Sequence, residues 1–180
     1  MELSYKLSKY HRSVILLYFI LTPILIVIFR PDLNYNFRLE HIKLVVPIII
    51  FILIFLFFRG IDKNKIKFVK IVLIVFYAVI FAIPEEIIFR GVIQNYLQSY
   101  FYNIIPAIIF SSLIFGAAHL LNAARSIKLK DWNYRLCGLT TLAGIPLSFA
   151  FATTGSLLIP TFLHAIFIIS LHISKQNPRD

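Results

Sequence analysis

The sequence predicts an all-α membrane protein: a polytopic bundle of about six transmembrane helices, with a long or kinked third helix carrying Glu85-Glu86. Three observations lead there. The 180 residues are 59% hydrophobic and only 14% charged, with 18 Phe among them, more apolar surface than a soluble domain of this size can hide from water. The apolar residues fall in runs that approach or exceed the roughly 20 residues needed to cross a hydrocarbon core. Positive residues gather in alternate connections between those runs. Little chain is left over, so residues 1–180 read as a single integral membrane domain.

The first run, Ser13 to Phe29, follows a basic start (Lys6, Lys9, His11, Arg12), as signal peptides and signal anchors both do. No small-residue cleavage site follows it and Arg30-Pro31 comes directly after, so it reads as a retained first helix. Leu44 to Phe58 is the second. The third, Phe68 to about Tyr100, is the odd one: roughly 33 residues at helical rise make a rod of about 50 Å, longer than a bilayer core is thick. With Pro84 in its middle, it must tilt, kink or leave the membrane in part. Ile104 to Leu121, Leu136 to Thr153 and Ser156 to Ile173 complete the six. Between the last two, Thr153-Thr154-Gly155-Ser156 reads as a tight turn in which Ser156 caps the sixth helix. Cys137 is the only cysteine, which excludes an intrachain disulfide and a cysteine metal cluster.

A net charge of +10 would suggest nucleic acid in a soluble protein, but its distribution gives another reason. With six crossings, all of the 18 Lys and Arg except Arg30, Arg38, Lys43 and Arg90 lie on the side of the two termini. The positive-inside rule then places both termini in the cytoplasm. The expected setting is a multi-pass protein of the cell membrane, surrounded by lipid and without a nucleic-acid partner. Trp132 and Tyr134, set between basic residues, read as an interfacial belt.

Ionisable groups at membrane depth cost several kcal/mol unless paired or hydrated, so they mark function by default. The third run holds Glu85, Glu86 and Arg90. Glu86 and Arg90, at i and i+4, can neutralise each other on one helical face. That accounts for two charges and leaves Glu85 spare, about 100° round the helix. Two histidines, His119 and His164, sit in equally apolar surroundings. Singly, each reads as a hydrogen-bonded packing residue. Together with a spare glutamate they supply a proton acceptor and two polarising groups, the minimum for activating water against an amide. The hairpin between the third and fourth runs turns near Tyr102, with Glu85 and His119 each about 17 residues from it, so two helical arms return them to one depth. His164 is about 12 Å into the sixth run at helical rise, nearer mid-membrane. The pocket is thus expected between the midplane and the cytoplasmic face.

The motifs Glu85-Glu86-x-x-x-Arg90, Phe115-x-x-x-His119 and Thr154-Gly155-Ser156-Leu157-x-x-Pro160-x-x-x-His164 resemble the CPBP family of intramembrane glutamic endopeptidases, which includes CAAX prenyl proteases, bacteriocin-processing enzymes and Abi proteins. The resemblance runs from Ile83 to Ile168; the first two helices carry none of it. It implies Glu85 as the general base toward water, His119 as its partner in holding that water, and His164 as a stabiliser of the oxyanion. Glu86 and Arg90 would set the orientation and charge of the pair, and Asn122, three residues after His119, would support it. No metal and no cofactor are implied, although a Glu and two His are also a zinc-ligand set and the sequence leaves that open. One position departs from the pattern: the asparagine often found four residues after the last histidine is Ile168 here. Losing one oxyanion donor typically lowers turnover by roughly 10²- to 10³-fold, unless Asn122, Ser170 or His172 substitutes.

The expected activity is hydrolysis of a peptide bond by a glutamate-activated water, at a site open toward the cytoplasm, on a peptide or membrane-protein substrate. The alternative is a catalytically weak or inactive relative acting in bacteriocin self-immunity or modulating a membrane partner, which Ile168 favours. A third reading, proton relay in a small transporter, finds no paired repeats to support it.

Overall fold

A computed structural model describes residues 9–31, 34–36, 42–61, 68–122 and 128–174. Seven α-helices occur among them: α1 (Lys9–Phe29), α2 (Ile42–Arg59), α3 (Phe68–Glu86), α4 (Asn95–Phe101), α5 (Ile104–Ala118), α6 (Tyr134–Thr154) and α7 (Leu158–Ile173). A π-helical segment, Ile87–Gln94, joins α3 to α4 without a break. The three pieces form one rod, so the architecture is a bundle of six rods, all α among the described residues apart from an isolated bridge between Ile61 and Ser174. Lys6, Arg38, Lys63, Lys65, Lys67, Arg125, Lys175 and Arg179, on which much of the charge asymmetry rests, lie outside the described residues.

The bundle is apolar outside and polar within. Leu73 and Phe76 of α3, Leu113 of α5, and Leu142 and Phe149 of α6 are exposed, while Glu85, Glu86, Arg90, Gln94, Ser111, Ser112, Ser148, His119 and His164 are buried. Lipid is the medium that makes this distribution favourable. Two rods, Lys70–Phe101 and Tyr134–Thr154, are long and apolar enough to cross a membrane, and shorter apolar helices accompany them.

The third rod is the axis. Residues 84–92 are all buried, and a helix buried on every side sits in the middle of its bundle. The anticipated irregularity takes the form of i→i+5 bonding just beyond Pro84, where the Asn95 N–H reaches the Arg90 carbonyl. The rod ends at Tyr102, left-handed at φ 50°, and Asn103 starts α5 by accepting the Ile105 N–H at 2.9 Å. The α5–α6 contact is close because of two glycines. A Cβ on Gly116 would collide with the Thr141 side chain and lie 2.7 Å from the Cys137 carbonyl; one on Gly144 would meet Phe115 at 3.2 Å and Ser112 at 3.3 Å. Gly155, at φ 62°, closes α6. Ser156 then accepts the Leu158 N–H at 3.3 Å at the start of α7. Next to it, the Leu157 N–H donates to the Asn34 carbonyl at 2.7 Å, tying the α1–α2 connection to this turn. α7 packs along α3, with Ala165, Ile168 and Ile169 against Ala78 and Ala82.

Candidate active site

Glu85 and Glu86 end α3 and face different neighbours. Glu86 is fully buried. Its Oε2 lies 3.1 Å from Arg90 Nε, and its Oε1 accepts from Arg90 Nη1 at 3.2 Å. The same Oε1 is 2.7 Å from His164 Nδ1. An ionised carboxylate only accepts, so the imidazole Nδ1–H donates. Arg90 is held in turn by the Gly144 carbonyl at 3.3 Å and by the Phe115 ring, 4.5 Å below its guanidinium carbon.

Glu85 points at both histidines. Its Oε2 lies 3.8 Å from His119 Nε2 and 3.8 Å from His164 Nε2. Those separations exceed a direct hydrogen bond and leave room for one small group to touch all three atoms. His119 caps α5, and its Nδ1 bonds the Phe115 carbonyl at 2.8 Å. With that proton committed to the backbone, the neutral ring offers a lone pair at Nε2. Phe115 also packs its ring edge-on to His119 at 4.7 Å and to His164 at 5.6 Å. One residue thus fixes a tautomer, seats the arginine and spaces the imidazoles.

The structure therefore brings together Glu85, Glu86, Arg90, His119 and His164. Asn122 is buried beside His119, its N–H on the His119 carbonyl at 3.0 Å, and its Oδ1 has no partner among the described residues. Ile168 faces the alanines of α3. The two other proposed substitutes engage their own helix: Ser170 donates to the Phe167 carbonyl and His172 Nδ1 meets the Ile168 carbonyl, each at 2.8 Å.

Sequence reasoning missed three things. It paired Glu86 with Arg90 but not with His164. It missed a buried polar group one turn beyond Arg90, where Gln94 Nε2 donates to the Ser148 carbonyl at 2.8 Å, and Ser111 and Ser112 reach Ser148 Oγ at 3.0 and 3.2 Å. The i, i+4, i+8 series Glu86, Arg90, Gln94 was a visible signal for it. It also gave no role to the aromatic residues near the charges. Tyr35, in the α1–α2 connection and 37% exposed, has its phenol pushed above the ordinary tyrosine range by partial burial and, secondarily, by the Glu86 carboxylate.

No match was found among curated proteins or among solved structures. A family model described as type II CAAX prenyl endopeptidase Rce1-like matches residues 67–169, a stretch holding all three motifs and every side chain of the charged cluster. That match covers more than half of the chain, and the protein belongs to the type II CAAX prenyl endopeptidase Rce1-like family, a family of membrane proteases.

Proposed function

We propose that the protein is a multi-pass intramembrane endopeptidase that cleaves a peptide bond with a water activated by Glu85, without a metal. The observation that carries this is the single Glu85 oxygen placed 3.8 Å from the Nε2 atoms of both His119 and His164. A water seated there donates one hydrogen to the carboxylate and one to the His119 lone pair, which turns its own lone pair toward a substrate carbonyl. As the water oxygen bonds to the carbonyl carbon, its proton passes to Glu85 and the C=O electron pair moves onto oxygen. His164 meets that oxyanion through Nε2–H while its Nδ1–H stays on Glu86. When the C–N bond breaks, Glu85 returns the proton to the leaving amine.

The family's description suggests the substrate class, a peptide whose C-terminal cysteine carries a prenyl group followed by three residues. Catalytic roles go to Glu85, His119 and His164, and supporting roles to Glu86, Arg90 and Asn122. Both termini are assigned to the cytoplasm, where such peptides arise, with the site open to that side. The test compares wild type with Glu85→Gln and His119→Ala on an internally quenched, farnesylated peptide of this kind. Loss of cleavage in both variants, with folding retained, is expected. Equal rates in all three would leave only a scaffold that uses the bundle without chemistry.

A further inference from the structure

A buried hydroxyl without a partner lies at the edge of the charged cluster. Tyr18, in α1, is 7% exposed and its hydroxyl makes no hydrogen bond among the described residues. Buried polar groups are nearly always paired, and those that are not call for an explanation in function. Its position supplies one. The ring packs edge-on to Phe89 at 6.1 Å, and Phe89 packs edge-on to Phe115 at 5.0 Å, the residue that touches both imidazoles. The hydroxyl also lies within the field of the Glu85 carboxylate.

The cluster is short of donors on the side where an oxyanion would form. Glu85 Oε2 and His119 Nε2 are acceptors, and the donors beside them are the His164 N–H and the side-chain amide of Asn122, buried next to His119. One turn after His164 the chain places Ile168, which packs on alanines, while Ser170 Oγ and His172 Nδ1 each meet a carbonyl of α7. A tetrahedral oxyanion is best held by more than one preorganised donor.

We infer that Tyr18 is a further catalytic residue, its hydroxyl donating a hydrogen bond to the substrate carbonyl oxygen as that oxygen becomes the oxyanion. This rests on the protease reading above and extends it to the first helix, which lies outside the matched residues 67–169. The phenol keeps its proton throughout, since the proton taken from water travels through Glu85 to the amine. A tyrosine suits the task because it reaches across from a neighbouring helix and adds a donor without adding a charge.

The experiment measures kcat, KM and melting temperature for wild type, Tyr18→Phe and Glu85→Gln in detergent micelles, using the internally quenched farnesylated peptide. Tyr18→Phe is expected to lower kcat on the order of 10²-fold with KM changed by less than about threefold. Its melting temperature should hold or rise, because the variant keeps the ring and removes an unpaired hydroxyl. If Glu85→Gln is inactive but Tyr18→Phe keeps more than about a third of wild-type kcat, the tyrosine has no such role and the protease reading stands. A Tyr18→Phe variant that loses melting temperature along with rate shows a structural residue and overturns the inference. Equal rates for all three proteins overturn both the inference and the reading beneath it.

Discussion

Replacing Arg90 with Met should be among the most damaging single changes in the bundle, and its cost can be worked from its contacts. The guanidinium is fully buried, 3.1 and 3.2 Å from the two oxygens of Glu86, bonded to the Gly144 carbonyl and seated on Phe115. Breaking a buried ion pair from one side costs about 3–5 kcal/mol, chiefly because a charge is left without its partner. The ring contact is worth about 2 kcal/mol when desolvated. Both effects belong to one group and do not simply add, so about 4 kcal/mol is expected for Arg90→Met. Glu86→Gln should cost a similar amount, since it strands the guanidinium and weakens the hold on His164. The double variant Arg90→Met/Glu86→Gln should then be no worse than the poorer single one, a coupling of at least about 4 kcal/mol. Unfolding can be followed by maleimide labelling of Cys137, the chain's only cysteine and half-buried in the bundle. Single costs that add to within about 0.5 kcal/mol would refute the reasoning, for they would mean that Arg90 is not there to neutralise Glu86.

Glycine substitutions should rank by the space around them. Gly116→Ala, whose Cβ collides with Thr141, should cost about 1–3 kcal/mol and Gly144→Ala less, whereas Gly138→Ala, with nothing within 4 Å, should stabilise α6 by about 0.5–1 kcal/mol in the same labelling assay. Chelators such as EDTA and phenanthroline should leave peptide cleavage unchanged, and inhibition reversed by added zinc would refute the metal-free mechanism. Ile168→Asn should raise kcat about tenfold while lowering the melting temperature, because it sets an amide one turn from His164 at the expense of packing on Ala78 and Ala82. Tyr35 should make stability sensitive to alkali. Its phenol binds its proton more tightly in the folded state, so its contribution is intact below about pH 10, the unfolded value, and is lost as pH rises through the higher folded value. Tyr35→Phe should flatten that alkaline decline in a melting-temperature series.

The helices were legible because hydropathy in a membrane protein is a direct reading of the solvent. All six apolar runs correspond to rods, with ends displaced by a few residues: α6 begins at Tyr134 rather than Leu136, and α5 stops at Ala118 rather than Leu121. The meeting of Glu85 with His119 followed from counting residues to a turn at Tyr102. What the sequence hid depends on phase and reach. The π-helical segment leaves no compositional mark, since Ile87–Gln94 uses residues that would serve an α-helix equally well. The Glu86–His164 contact spans 78 positions and depends on how α7 crosses α3. Tyr18 is one aromatic residue among many in an apolar run, and only its buried, unpaired hydroxyl separates it from the rest.

The segment Ile87–Gln94 also works as a phase slip in a shaft. Below it, α3 turns its face to α7; above it, α4 turns to α5. A single helical repeat running from Phe68 to Phe101 would not serve both neighbours, and the wider turns take up the difference just beyond the carboxylates. Side-chain replacement is therefore a poor probe of this feature, because it changes what the shaft carries without changing its angular setting. Removing one residue would do the reverse: with Ile93 deleted, α4 would be wound round by roughly 100° against α5 while Glu85 and Glu86 stayed where they are. The length of this stretch, as much as its chemistry, keeps the two halves of the bundle aligned around the cluster.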